Sequence, residues 1–134
     1  MKEIILVENK YNTLSYEEEH KLFKIVIHEH YMTDAQRLEQ IIAIKPKMNN
    51  KKPKKVFYDF RLQKAINPAA FGMLEKQISE NFSYWQVEKI AVRMPENLFG
   101  KLVVEQMGLS FNKMNIDFRV FDETDDAMKW LLND

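Results

Sequence analysis

Lys55-Val-Phe-Tyr-Asp-Phe-Arg61, Lys89-Ile-Ala-Val-Arg-Met94 and Ile116-Asp-Phe-Arg-Val-Phe121 are three strand-like runs, each followed by a stretch of helical periodicity. Those stretches predict helices over Asn67 to Phe82, Glu96 to Met107 and Thr124 to Leu132. Three strand–helix units in series specify an α/β fold whose strands run parallel, with helices packed on the sheet. In such sheets ligands tend to gather beyond the carboxyl ends of the strands.

Upstream, Glu3 to Glu8 is a short strand, and residues 13–16 and 22–28 flank a charged turn, Glu17 to Lys21. Polar residues between two β-rich runs predict a hairpin, so the sheet is mixed: antiparallel at first, then parallel. A first helix starts at Thr33, where Thr33 and Gln36 have capping-box spacing, and Pro46 is expected to end or kink it near Ile44. Asn67 caps the second helix, with Pro68 at its first position and Phe71, Leu74, Ile78 and Phe82 as its buried stripe. Pro95 marks entry to the third helix, Gly108 its left-handed stop, and Leu98, Phe99, Leu102, Val103 and Met107 its apolar side. In the last helix Asp125 and Asp126 suit the positive N-terminal dipole, and Ala127, Met128, Leu131 and Leu132 face inward. The whole reading is one domain, residues 1–134, with about four helices mainly on one face of the sheet.

The chain has 134 residues, 46% hydrophobic and 30% charged, with 20 basic residues balancing 20 acidic ones. A chain of this length buries roughly two-thirds of its unfolded surface, enough for a core without staples. Balanced charge gives no electrostatic case for nucleic acid. The absence of cysteine excludes disulfides and thiolate metal sites and suits a reducing, cytoplasmic setting. Ile4-Ile-Leu-Val7 is too short for a signal sequence, and no run approaches membrane-spanning length, so integral membrane association is not expected. Three glycines argue against a glycine-rich phosphate loop, and no cofactor is expected.

Several clusters bear on chemistry. Lys45, Lys47, Lys51, Lys52, Lys54 and Lys55 form a basic run without the aromatics or arginines that base stacking and bidentate phosphate binding use, so it reads as a solvated connection. His28 and His30 share a face at a strand end, with His20 earlier in the hairpin, but a complete set of metal ligands is missing, and no metal is expected. No serine sits in a nucleophile-elbow context, and an enzyme is disfavoured. Asp59 and Arg61 share a face at the carboxyl end of one strand, Arg93 ends the next, and Gln63 and Asn67 follow in the connection. These five residues are the candidate ligand- or partner-binding rim, with the two arginines holding an anion and Asp59 orienting an arginine.

Val56-Phe-Tyr-Asp-Phe-Arg61, Asn67-Pro68, Val87 to Pro95, and above all Phe118-Arg-Val-Phe-Asp-Glu-Thr-Asp-Asp-Ala-Met-Lys-Trp-Leu131 resemble the STAS-like proteins, small stand-alone bacterial forms included. The resemblance implies a mixed sheet with helices largely on one face, and roles in protein–protein regulation or in binding small ligands or lipids. Regulatory members carry a phosphorylatable Ser or Thr at the start of the helix after the central strand. The corresponding segment here, residues 65–71, has no hydroxyl, and without an acceptor no phosphate charge can enter an interface.

The leading expectation is therefore a non-enzymatic regulatory module acting on a protein partner or small anion at the rim. The alternatives are a carrier of a lipid or other apolar ligand, with Phe60, Phe71, Phe99 and Met94 lining a cavity, and a small enzyme using Asp59 as acid–base. Tyr84 and Trp85, read as exposed aromatics, offer a surface for a homodimer, which the sequence alone does not decide.

Overall fold

β-Branched and aromatic residues are concentrated in the strand runs, and in the computed structural model these form one six-stranded sheet; residues 2–30, 32–62 and 68–133 are described. The strands are β1 (Glu3–Glu8), β2 (Asn12–Glu17), β3 (Leu22–Ile27), β4 (Lys55–Asp59), β5 (Lys89–Arg93) and β6 (Asp117–Phe121). They lie side by side in chain order, β1 to β3 antiparallel and β3 to β6 parallel. The helices are α1 (Asp34–Lys51), α2 (Pro68–Trp85), α3 (Leu98–Lys113) and α4 (Thr124–Leu132).

Side chains alternate across the pleat, so each strand serves both faces. Phe23, Val56, Tyr58, Ile90 and Val92 point to one face and pack with Ile44 and Met48 of α1, Phe82 and Trp85 of α2, and Val104, Met107 and Phe111 of α3. Leu22, Phe57 and Ala91 point to the other, where Ala127 and Leu131 of α4 complete a smaller cluster. Three helices thus cover one face, as right-handed crossovers stepping in a single direction require, and α4 shields the back of the parallel strands.

Four local expectations are corrected. Pro46 does not end α1, which continues to Lys51 and stops at Lys52 in the left-handed region (φ 49). Pro46 and Ile42 both lie on the solvent side, so water can take the carbonyl that proline leaves without a donor, while Ile44 and Met48 bury on either side. Gly108 is not a helix stop: α3 runs on to Lys113 and Asn115 takes the left-handed turn (φ 62). Gly108 instead lets α3 settle on the Phe118 ring, which a Cβ there would meet at 3.1 Å. Leu98 and Leu102 are exposed rather than inward, the core side of α3 being Val104, Met107 and Phe111. The lysine run is not a loop. Its first half is the end of α1, Lys54 Nζ donates to the Trp85 carbonyl (3.0 Å), and Lys55 is buried in β4.

The Thr33–Gln36 capping box forms in both directions, with Thr33 N–H donating to Gln36 Oε1 (2.9 Å) and Gln36 N–H to Thr33 Oγ1 (3.2 Å). Trp85 is not an exposed interface residue. It is 1% exposed, edge-on to Phe23, with its indole N–H donated to Asn49 Oδ1 (2.7 Å); Tyr84 beside it is exposed.

Candidate functional site

The rim assembles as the period-two rule requires. Asp59 and Arg93 are register partners on adjacent parallel strands, on the α4 side of the sheet. Arg93 Nη1 lies 3.6 Å from Asp59 Oδ2, its Nη2 3.7 Å from Glu123 Oε2, and its Nε donates to the Asp122 carbonyl (3.2 Å). Arg61 donates its backbone N–H to Asp59 Oδ1 (3.1 Å) and directs Nη1 toward Glu96 Oε1 (3.7 Å). Asp59, Arg61 and Arg93 are therefore brought together, while Gln63 and Asn67 lie outside the described residues. Each arginine already faces carboxylates. The chain-order sheet also lacks the reversal of strand order that opens a ligand crevice in doubly wound folds, since α1, α2 and α3 all cross on one face.

The histidines do not converge. His20 precedes β3 and His28 follows it, roughly 20 Å apart at the rise of an extended strand. His28 Nε2 lies 2.9 Å from Thr13 Oγ1. Buried Glu17 accepts the His20 N–H (2.8 Å) with Nδ1 3.0 Å away, so its carboxylate is used to close the turn. Glu17, Glu19 and His20 do bring potential metal-ligating atoms within 4.8 Å of one another, but the turn accounts for that arrangement.

The larger opportunity lies under the helices. An apolar cavity of about 130 Å³ runs between the sheet and α1, α2 and α3. Its floor is Leu14, Phe23, Ile25, Ile27 and Tyr58, and its roof includes Ile44, Leu74, Ile78, Val103 and Met107. Phe82, Trp85 and Phe111 close one wall, their rings 5.4 to 5.7 Å apart in tilted pairs around Phe82. Arg37, Gln40 and Ile41 of α1, Glu75 and Ile78 of α2, and Val103 of α3 line it while only half-buried.

Polar groups in the wall are few and specific. Asn12 and Gln40 exchange amide hydrogen bonds of 2.7 and 3.0 Å and satisfy each other. Asn81 is 3% exposed and lines the cavity, yet its Oδ1 has no hydrogen-bond partner among the described residues. Burial pushes the Tyr58 phenol far above its ordinary range, so it stays a neutral donor. An acceptor left without a donor costs about 1–3 kcal/mol.

Of the residues expected to line an apolar site, Phe60 does, Met94 packs on the same core without lining the cavity, and the side chains of Phe71 and Phe99 lie outside the described residues. Asn81 was missed, although a signal was present. Leu74, Ile78, Asn81 and Trp85 recur at i, i+4, i+7 and i+11, which places an amide on the buried stripe of α2.

Comparison with protein-family models, with curated proteins and with solved structures found no match to this chain.

Proposed function

We propose that this protein binds a small, mainly apolar molecule in the cavity beneath α1, α2 and α3, as a carrier or sensor rather than an enzyme. The observation that supports this most is Asn81, whose buried Oδ1 faces apolar surroundings without a donor among the described residues. A ligand bearing one N–H or O–H satisfies that oxygen while its hydrocarbon part fills the space. The cavity, at about 130 Å³, is close to the roughly 150 Å³ of an engineered apolar cavity that takes benzene. The fitting class is therefore a single ring or a short acyl segment with a donor at one end. The resemblance of residues 118–131 to STAS-like proteins agrees with this, since that family implies ligand or lipid binding among its roles. Anion capture at the rim is the weaker reading, because Asp59, Glu96 and Glu123 already face the Arg61 and Arg93 guanidinium groups.

The test is NMR of methionine methyl groups during titration with phenol and with benzene. Met32 and Met107 line the cavity and should shift; Met128 on α4 should not. One hydrogen bond to Asn81 makes phenol the tighter ligand by roughly 2–10-fold. No shift at Met32 and Met107 with either compound at millimolar concentration rejects the proposal. Mass spectrometry of solvent-extracted native protein would then identify the natural occupant.

A further inference from the structure

We infer that the β6 edge of the sheet pairs antiparallel with the β6 edge of a second copy, about a twofold axis through Phe118, joining two sheets into one. β6 is the last strand, with β5 on only one side. Asp117 N–H donates to the Glu88 carbonyl (3.0 Å) and Met94 N–H to the Phe121 carbonyl (2.9 Å). In a parallel ladder the N–H and C=O of a residue point the same way and alternate along the strand. Residues 117, 119 and 121 therefore face β5, and Phe118 and Val120 direct their backbone groups outward.

Natural sheets blunt such edges with bulges, prolines or charges. The opposite edge, β1, has a bulge between Ile5 and Val7 and a glutamate at each end. β6 keeps an unbroken register, contains no proline, carries one charge of each sign (Asp117 and Arg119) instead of two acids, and leaves Val120 49% exposed.

Charge decides the register. Asp117 and Arg119 are both about half exposed on the α4 side, where they approach each other at 3.6 Å. Centring the pair on Phe118 sets Asp117 opposite Arg119 of the second copy, twice. In antiparallel pairing these are the close, non-hydrogen-bonded positions, where opposite charges attract most. Phe118 then exchanges N–H and C=O with its counterpart, and Val120 N–H donates to the Ile116 carbonyl of the other chain. Ile116 has its own N–H bonded to the Phe111 carbonyl (3.1 Å). Shifting the axis to Arg119 opposes two like charges, and shifting it to Val120 strands Asp117. The Phe118-centred register pairs the outward groups of Phe118 and the Val120 N–H, leaves the Val120 carbonyl to water, and sets unlike charges opposite each other.

Sedimentation equilibrium of the full chain, from micromolar to a few hundred micromolar, tests this with three variants. The wild type should dimerise. Asp117→Arg and Arg119→Asp should each raise the dimer dissociation constant at least about 10-fold, because both cross-strand contacts become repulsive. The double variant Asp117→Arg/Arg119→Asp should restore it to within about 3-fold, since the exchange keeps every pair opposite in sign. Both sites are exposed, and far-UV circular dichroism verifies that each variant is folded. A wild type that stays monomeric overturns the inference. A dimer indifferent to the single changes, or not rescued by the double one, also overturns it and places the interface elsewhere. The inference does not depend on the cavity, so phenol binding by a monomer would sink this pairing alone.

Discussion

Replacing Asn81 with leucine should make the protein more stable and a poorer discriminator of ligands. Asn81 is 3% exposed and its Oδ1 is without a partner among the described residues, so the folded state carries a desolvated acceptor worth about 1–3 kcal/mol. Leucine removes that cost, adds a few tenths of a kcal/mol of helix propensity, and extends methyl groups into an adjoining cavity of about 130 Å³. A gain of about 1–3 kcal/mol follows. At about 2.1 cal/mol/K of unfolding entropy per residue, a chain of 134 residues changes by roughly 0.3 kcal/mol/K, so Tm should rise by about 4–10 °C. Urea titration followed by Trp fluorescence should show a higher midpoint at an unchanged slope. Asn81→Ala removes the amide without filling space, and its gain should be smaller. In Asn81→Leu the preference for phenol over benzene should vanish. A leucine variant less stable than wild type by more than about 1 kcal/mol would refute the reasoning, since it would mean that the amide is satisfied in the native protein.

Three other outcomes follow from local geometry. Pro46→Ala should stabilise by roughly 1–3 kcal/mol in urea titration, because Pro46 sits exposed inside α1 and deprives the Ile42 carbonyl of its donor. Gly100→Ala should destabilise by about 1–3 kcal/mol despite alanine's better helix propensity, as its Cβ would meet the rigid Pro95 ring at 2.7 and 2.8 Å; thermal unfolding measures the loss. Burial raises the phenols of Tyr58 and of Tyr16, the latter to about 12, helped by Glu18 and Glu17. Both stay protonated in the folded state while an unfolded tyrosine ionises near pH 10, so their contribution is intact below pH 10 and is lost as pH climbs above it. Tyr58→Phe should reduce that alkaline slope by up to about 1.4 kcal/mol per pH unit, read from urea midpoints between pH 9 and 11.

The fold was legible because its signals are local and repeated. Continuous apolar runs at 55–61 and 89–94, buried on both faces, the run at 116–121 and the stripe of α4 record which surfaces meet the core, and α/β alternation does the rest. Boundaries failed where a breaker was overruled from elsewhere. Pro46 is outweighed by Ile44 and Met48 burying beside it, and Gly108 answers to Phe118 rather than to a helix terminus. The rim pair Asp59 and Arg93 was predictable from register alone, but the further carboxylates, Glu96 beside Arg61 and Glu123 beside Arg93, come from the segments after β5 and β6. The cavity was not legible, because it is the volume that three helices leave unfilled, a difference of side-chain sizes across elements far apart in the chain. Asn81, its most telling group, was visible as a polar residue out of place on an apolar stripe.

The chain-order sheet has a kinetic consequence. No strand waits for a later one to be inserted beside it, so each β-segment can dock on its predecessor without threading, once the helical crossover that precedes β4, β5 or β6 has been closed. Nascent intermediates accordingly grow from one side, always presenting their newest strand as a bare template. Until α4 follows β6 out and covers Phe57 and Ala91, the back of that growing surface is where a crowded cell would meet it first.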